Sequence, residues 1–107
     1  MINKTIFVLL IFVSVNYSQN LVKMNVLDSN TSKPIGGVMV SILNTNFKTA
    51  SDSSGLAVFD RIPDGYYTFL ITYVGYYLYS INLEINSKNE NLFTVKISKS
   101  RIYKIDH

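Results

Sequence analysis

The sequence has no cysteine and no tryptophan, two prolines, and a single histidine, His107, at the end of its 107 residues. Each shortage removes a class of chemistry. Without cysteine there is no disulfide, no thiolate nucleophile and no lipid-modified cysteine, so the folded domain must be held by burial alone. Catalytic zinc takes typically three protein ligands plus an acid/base group, and one terminal histidine excludes a His-ligated centre. The same shortage argues against a Ser-His or Cys-His nucleophilic pair. No enzymatic activity and no cofactor are expected.

Charge is also scarce. Only 16% of residues are charged, while 48% are hydrophobic and 13% aromatic, a balance that suits one compact domain and not a disordered chain. The formal net charge is +3, and the lysines are scattered along the chain instead of forming a stripe. A nucleic-acid footprint needs such a stripe with reading residues on it, so no nucleic-acid partner is expected.

What is present begins with a leader. Lys4 precedes an apolar run from Ile6 to Val15, followed by Asn16, Tyr17, Ser18 and Gln19, the layout of a secretory signal peptide over residues 1–18 with cleavage before Gln19. The run is shorter than the roughly 20 residues that span a bilayer. We therefore expect export to the periplasm, the outer membrane or the cell surface, a domain over 19–100, a tail over 101–107, and no membrane span in the mature chain.

The mature region alternates with period two. Val22, Met24 and Val26 share one face of a strand ending at Asp28, and Val38, Val40 and Ile42 share one face of the next. Short strands follow over Phe47–Ser51 and Leu56–Phe59. A longer one spans Tyr66–Val74, Gly75 interrupts it, and alternation resumes from Tyr76 to Ile85. After a polar loop, Asn86 to Asn91, Phe93, Val95 and Ile97 alternate in a last strand. About seven short strands with frequent turns predict an all-β fold, a single antiparallel β-sandwich with Greek-key connections. The predicted core is Val22, Val26, Val38, Val40, Ile42, Phe59, Tyr67, Phe69, Ile71, Ile81, Leu83, Phe93, Val95 and Ile97.

Two turn signals stand out, Asp52 to Gly55 and Pro63-Asp64-Gly65, read here as links between successive antiparallel strands. Gly37 and Gly75 are further structural positions, Gly75 as a bulge at which a Val substitution should unfold or misregister the sheet. In order, Pro34-Ile35-Gly36-Gly37, Ser51-Asp52-Ser53-Ser54-Gly55, Ile62-Pro63-Asp64-Gly65-Tyr66-Tyr67 and Val74-Gly75-Tyr76 make a pattern that resembles the carboxypeptidase regulatory-like domain family. That resemblance implies a transthyretin-like sandwich. Two departures concern packing: Met24 stands where the family often has Gly, and Ala57 where a large aromatic is common, which should leave a void unless Phe59 or a tyrosine fills it. The variant most similar in flavour is the N-terminal extension of TonB-dependent outer-membrane receptors of Bacteroidetes-type bacteria. The residues after Ser98 are too few for a barrel, so a free-standing sandwich or the leading piece of an interrupted receptor is expected.

Tyr66, Tyr73 and Tyr76 are the best binding candidates, since tyrosine joins a large apolar ring to a polar tip. Asp52, Asp60 and Asp64 suit turn capping, with a weak calcium site at one end of the sandwich as the alternative. Lys23 with Asn89 or Asn91 and Glu84 offers the ingredients of a Lys-Asn isopeptide bond, and Asn30-Thr31-Ser32 fits a glycosylation acceptor. Together these readings describe a non-catalytic exported module of the bacterial cell envelope that docks to an envelope protein or receptor component. A glycan or small-ligand module using exposed tyrosines, or a receptor remnant, are the competing readings.

Overall fold

The computed structural model describes residues 19–100. Seven strands follow one another: β1 (Gln19–Asp28), β2 (Met39–Ile42), β3 (Lys48–Ala50), β4 (Leu56–Pro63), β5 (Gly65–Thr72), β6 (Tyr79–Ile85) and β7 (Leu92–Ile97). They form a three-stranded sheet, β4-β1-β7, and a four-stranded sheet, β3-β2-β5-β6. Among the described residues no helix is long and apolar enough to cross a membrane. The leader expected over 1–18 and the tail over 101–107 lie outside the described residues.

Every strand pair is antiparallel but one. β1 and β7 run parallel, from Lys23 opposite Leu92 to Asp28 opposite Ile97, which corrects the expectation of a wholly antiparallel sandwich. The reason is connectivity: parallel neighbours need a long crossover, and here the rest of the domain supplies it. β1 also lies beside β4 and not β2, the non-sequential adjacency of a Greek-key sandwich.

The two turn signals carry the chain between layers instead of closing hairpins. Asp52 to Gly55 leads from β3 in one sheet to β4 in the other, and Asp64 leads from β4 back to β5. Strand β4 also carries an irregularity that the alternation hides. Asn20 pairs with Ile62 and Val22 with Phe59, so Asp60 and Arg61 both stand opposite Leu21 in a β-bulge, with Arg61 at φ 61°. The extra residue turns Ile62 inward, where it is fully buried.

The buried core is Val22, Met24, Val26, Val38, Val40, Ile42, Ala57, Phe59, Ile62, Phe69, Ile71, Ile85, Val95 and Ile97. Phe59 and Phe69 join the two layers edge to face, with ring centroids 5.8 Å apart. Tyr67, Ile81, Leu83 and Phe93, expected inside, are only half-buried against this cluster. For Ile81, Leu83 and Phe93 the cause is position: among the described residues β6 pairs only with β5 and β7 only with β1, so each is covered from one side.

Gly75 sits in a turn, not in a strand bulge. The Tyr76 amide donates to the Tyr73 carbonyl at 3.1 Å and Gly75 takes φ 83°, the arrangement of a type II turn. Strand pairing resumes at Tyr79 instead of Tyr76, because the intervening backbone bonds elsewhere. The Tyr77 amide donates to the Ser98 carbonyl and the Ser100 amide to the Gly75 carbonyl, both at 2.9 Å, fastening this connection to the end of β7.

Candidate binding surfaces

The three tyrosines singled out by the sequence do not share a surface. Tyr66 lies near the start of β5, whereas Tyr73 and Tyr76 lie beyond its other end. Tyr73 and Tyr76 are half-buried, with ring centroids 5.6 Å apart. The Tyr76 hydroxyl donates to Asp28 Oδ2 at 2.6 Å, and Asp28 Oδ1 accepts from the amides of Asn30 at 2.8 Å and Thr31 at 3.0 Å. These hydrogen bonds, Tyr76 first, hold the Asp28 carboxyl down at about 2. Reciprocally, the bond to Asp28 and burial push the Tyr76 hydroxyl up to about 12. Tyr76 is therefore a fastening between β1 and the β5–β6 connection, not an exposed binding group.

Beside that fastening lies a surface the tyrosine reading missed. Val74 is 85% exposed, Leu78 63% and Tyr77 54%, so the β5–β6 connection presents an apolar tip next to the point where β7 ends. Soluble domains rarely leave large apolar side chains grouped in water without a partner. The signal in the sequence was the run Val74-Gly75-Tyr76-Tyr77-Leu78, whose alternation points to a strand but whose backbone is bent away by Gly75.

Tyr66 occupies the outer face of the four-stranded sheet, directly opposite Glu84 on β6, and is 81% exposed. It forms a wall shared by two shallow hollows. One, of about 300 Å³, is lined also by Leu43, Asn44, Thr45, Tyr67 and Thr68. The other, of about 340 Å³, is lined by Tyr67, Thr68 and Asn82. Thr68 Oγ1 donates to Asn82 Oδ1 at 2.6 Å, which fixes that amide.

The acidic residues are structural and scattered. Asp52 Oδ1 accepts from Ser54 Oγ at 2.6 Å, Ser54 N at 2.9 Å and Leu56 N at 3.0 Å. The Ser54 hydroxyl above all lowers the Asp52 carboxyl below its ordinary value. Asp64 Oδ1 accepts from Asn20 Nδ2 at 2.8 Å, at the opposite end of β4. Asp52 precedes β4, Asp60 lies within it and Asp64 follows it, so the three do not gather at one end of the sandwich as the calcium alternative requires.

Of the isopeptide ingredients, Lys23 and Asn91 are neighbours, the Lys23 amide donating to the Asn91 carbonyl at 3.0 Å, but the acid, Glu84, belongs to the other sheet. Lys23 is exposed on the three-stranded sheet and Glu84 on the four-stranded sheet, while the buried Asn91 amide donates to the Asn86 carbonyl at 3.0 Å. Asn89 is exposed in the loop after β6, and Asn30 in the turn capped by Asp28.

The turn residues divide by role. Gly37 and Gly55 adopt φ 80° and 83°, whereas Gly65 belongs to β5 and has no such need. Gly65 instead gives room to Tyr67, whose ring lies over it and whose hydroxyl donates to the Pro63 carbonyl at 2.8 Å. That bond locks the β4-to-β5 crossing in the manner of a tyrosine corner. Burial, and then the Asp64 charge, raise the Tyr67 hydroxyl above its ordinary value. The spacing Pro63-x-Gly65-x-Tyr67 was the available signal.

With this geometry in place, the family profile described as CarboxypepD_reg-like domain matches residues 22–104. The chain belongs to the CarboxypepD_reg-like domain family. Among solved structures, this CarboxypepD_reg-like domain is similar to the Bacillus anthracis TIE protein, with TM-score 0.64, 19% identity and coverage of 77% of this chain and 17% of that one. It is similar to BcpA, the major pilin subunit of Bacillus cereus, with TM-score 0.65, 17% identity and coverage of 77% and 30%. A chain of a type II cohesin-X-dockerin complex from Acetivibrio cellulolyticus matches with TM-score 0.56, 23% identity and coverage of 74% and 51%. Identities this low establish the sandwich fold alone. The domain spans about half or less of the length of each of these neighbours. No curated protein sequence matches it.

Proposed function

We propose that this CarboxypepD_reg-like domain is a non-catalytic protein-docking module of the bacterial cell envelope, exported by the leader over residues 1–18. In this reading it is an accessory domain of the kind that precedes TonB-dependent receptors. The observation that carries the proposal is the apolar tip of Val74, Tyr77 and Leu78, exposed beside the end of β7. A protein partner covering it would remove apolar area from water, the main driving force of association. Similarity to parts of longer chains, among them a major pilin subunit and a chain of a cohesin-X-dockerin complex, supports the same reading.

The test places a photo-crosslinking amino acid at position 78, and as a control at 94 on the outer face of the three-stranded sheet, in cells of the source bacterium. Docking at the tip gives one discrete adduct with an envelope protein from position 78 and none from 94. Identical adducts from both positions, or none from 78, would overturn the docking role. Accumulation of the uncleaved chain in the cytoplasm would overturn export.

A further inference from the structure

The Tyr66 end of the four-stranded sheet carries a second site, remote from the apolar tip. We propose that it binds a neutral oligosaccharide laid across the β2–β3 turn, β5 and β6. Its centre is the Tyr66 ring, 81% exposed on the outer face and bordered by the two hollows. An aromatic ring offers a flat apolar face to the C–H face of a pyranose, and its hydroxyl a polar tip. The two hollows share Tyr66, Tyr67 and Thr68 and so give two adjoining subsites, which suit a chain and not a single sugar.

The linings specify neutrality. They contain the hydroxyls of Thr45 and Thr68, the amides of Asn44 and Asn82, and the apolar edge of Leu43, with no lysine or arginine. A phosphate or a uronate would find no cation there, and Glu84, directly across from Tyr66, would repel it. The same carboxylate accepts hydrogen bonds from sugar hydroxyls. Thr68 holds Asn82 Oδ1, which leaves the exposed Asn82 Nδ2 free to donate to a sugar hydroxyl.

Size agrees with chemistry. Neighbouring strands lie about 4.8 Å apart, so the line from Leu43, whose amide donates to the Thr68 carbonyl, through Thr68 to Asn82 spans about 10 Å, the length of a disaccharide. The hollows are shallow and lack a deep apolar slot for a peptide side chain, which favours a saccharide over a protein at this end.

Calorimetric titration of the purified chain with cellohexaose, xylohexaose and chitohexaose, and with polygalacturonate as the anionic comparison, tests the site. Saturable binding of at least one neutral hexasaccharide is expected, weakened at least about tenfold by Tyr66→Ala and largely kept by Tyr66→Phe. Leu78→Ser, at the other end, should leave it unchanged. Tyr66 is so exposed that its Ala variant should keep the wild-type circular dichroism and melting point, which separates lost binding from lost folding. Absence of binding by all three neutral sugars, binding of polygalacturonate alone, or binding indifferent to Tyr66→Ala would overturn the proposal without touching the docking role.

Discussion

Met24 on β1 and Ala57 on β4 are direct cross-strand partners, and both side chains are fully buried. The family resemblance places a small residue at the first position and a large one at the second. Here the sizes are exchanged across the pair, which sets the larger Met24 side chain beside the position where a void was expected.

This exchange makes the two positions energetically coupled. Met24→Ala should cost about 2–5 kcal/mol through the cavity it leaves. Ala57→Phe alone should overpack the core at a cost of about 1–3 kcal/mol. Combined with Met24→Gly, Ala57→Phe should be far less harmful than the sum, and urea unfolding of the four proteins in a double-mutant cycle measures the coupling.

The Asp28–Tyr76 bond predicts loss of stability at both pH extremes. Asp28 is lowered from 3.8 to about 2, so its contribution is complete above the ordinary carboxyl range and fades as pH falls through about 2. Tyr76 is raised from 10.0 to about 12, so its contribution is complete below pH 10 and fades as pH rises through about 12. Thermal melts of wild type and Tyr76→Phe across these windows should converge at both ends and differ most near neutrality.

Gly55 and Gly75 share φ 83° but not surroundings, so equal substitutions should differ in cost. A Cβ on Gly55 would meet Pro34 Cβ at 2.8 Å and the Val26 carbonyl oxygen at 2.9 Å, whereas one on Gly75 would meet nothing within 4 Å. Gly75→Ala should cost about 1 kcal/mol, the left-handed backbone strain alone. Gly55→Ala should cost clearly more, and Gly75→Val should leave the sheet register intact. Denaturant midpoints and amide chemical shifts check both.

The bulge predicts opposite signs at one position. Arg61, at φ 61°, carries strain that glycine would relieve and a β-branched residue would worsen. Arg61→Gly should be neutral or stabilising by up to about 1 kcal/mol, and Arg61→Val destabilising by about 1–2 kcal/mol. Ile62→Ala, which empties the site the bulge creates, should cost about 2–5 kcal/mol by urea unfolding.

Alternation was enough to read seven strands and most of the interior, because one buried face per strand imposes a period of two on Val22 to Val26 and Val38 to Ile42. It failed where the backbone breaks that period. Ile62 was invisible because Arg61 absorbs a residue, and the direction of β7 because parallel and antiparallel strands alternate alike. The turn residues were legible, but not that both turns change layer, since Asp-x-x-Gly and Pro-x-Gly state a bend and not what lies on either side. At the candidate sites the sequence gathered tyrosines by type, and only coordinates separate Tyr66, which faces water, from Tyr76, whose hydroxyl is committed to Asp28.

The parallel pairing of β1 with β7 sets the order in which this polypeptide matures. One edge of β1 is covered once Leu56 to Pro63 are made, but the other, from Lys23 to Asp28, finds its neighbour only when Leu92 to Ile97 arrive. Contacts so distant along the chain form late. A chain arrested before Leu92 therefore leaves that edge of β1 open, and arrival of the final strand closes the three-stranded sheet.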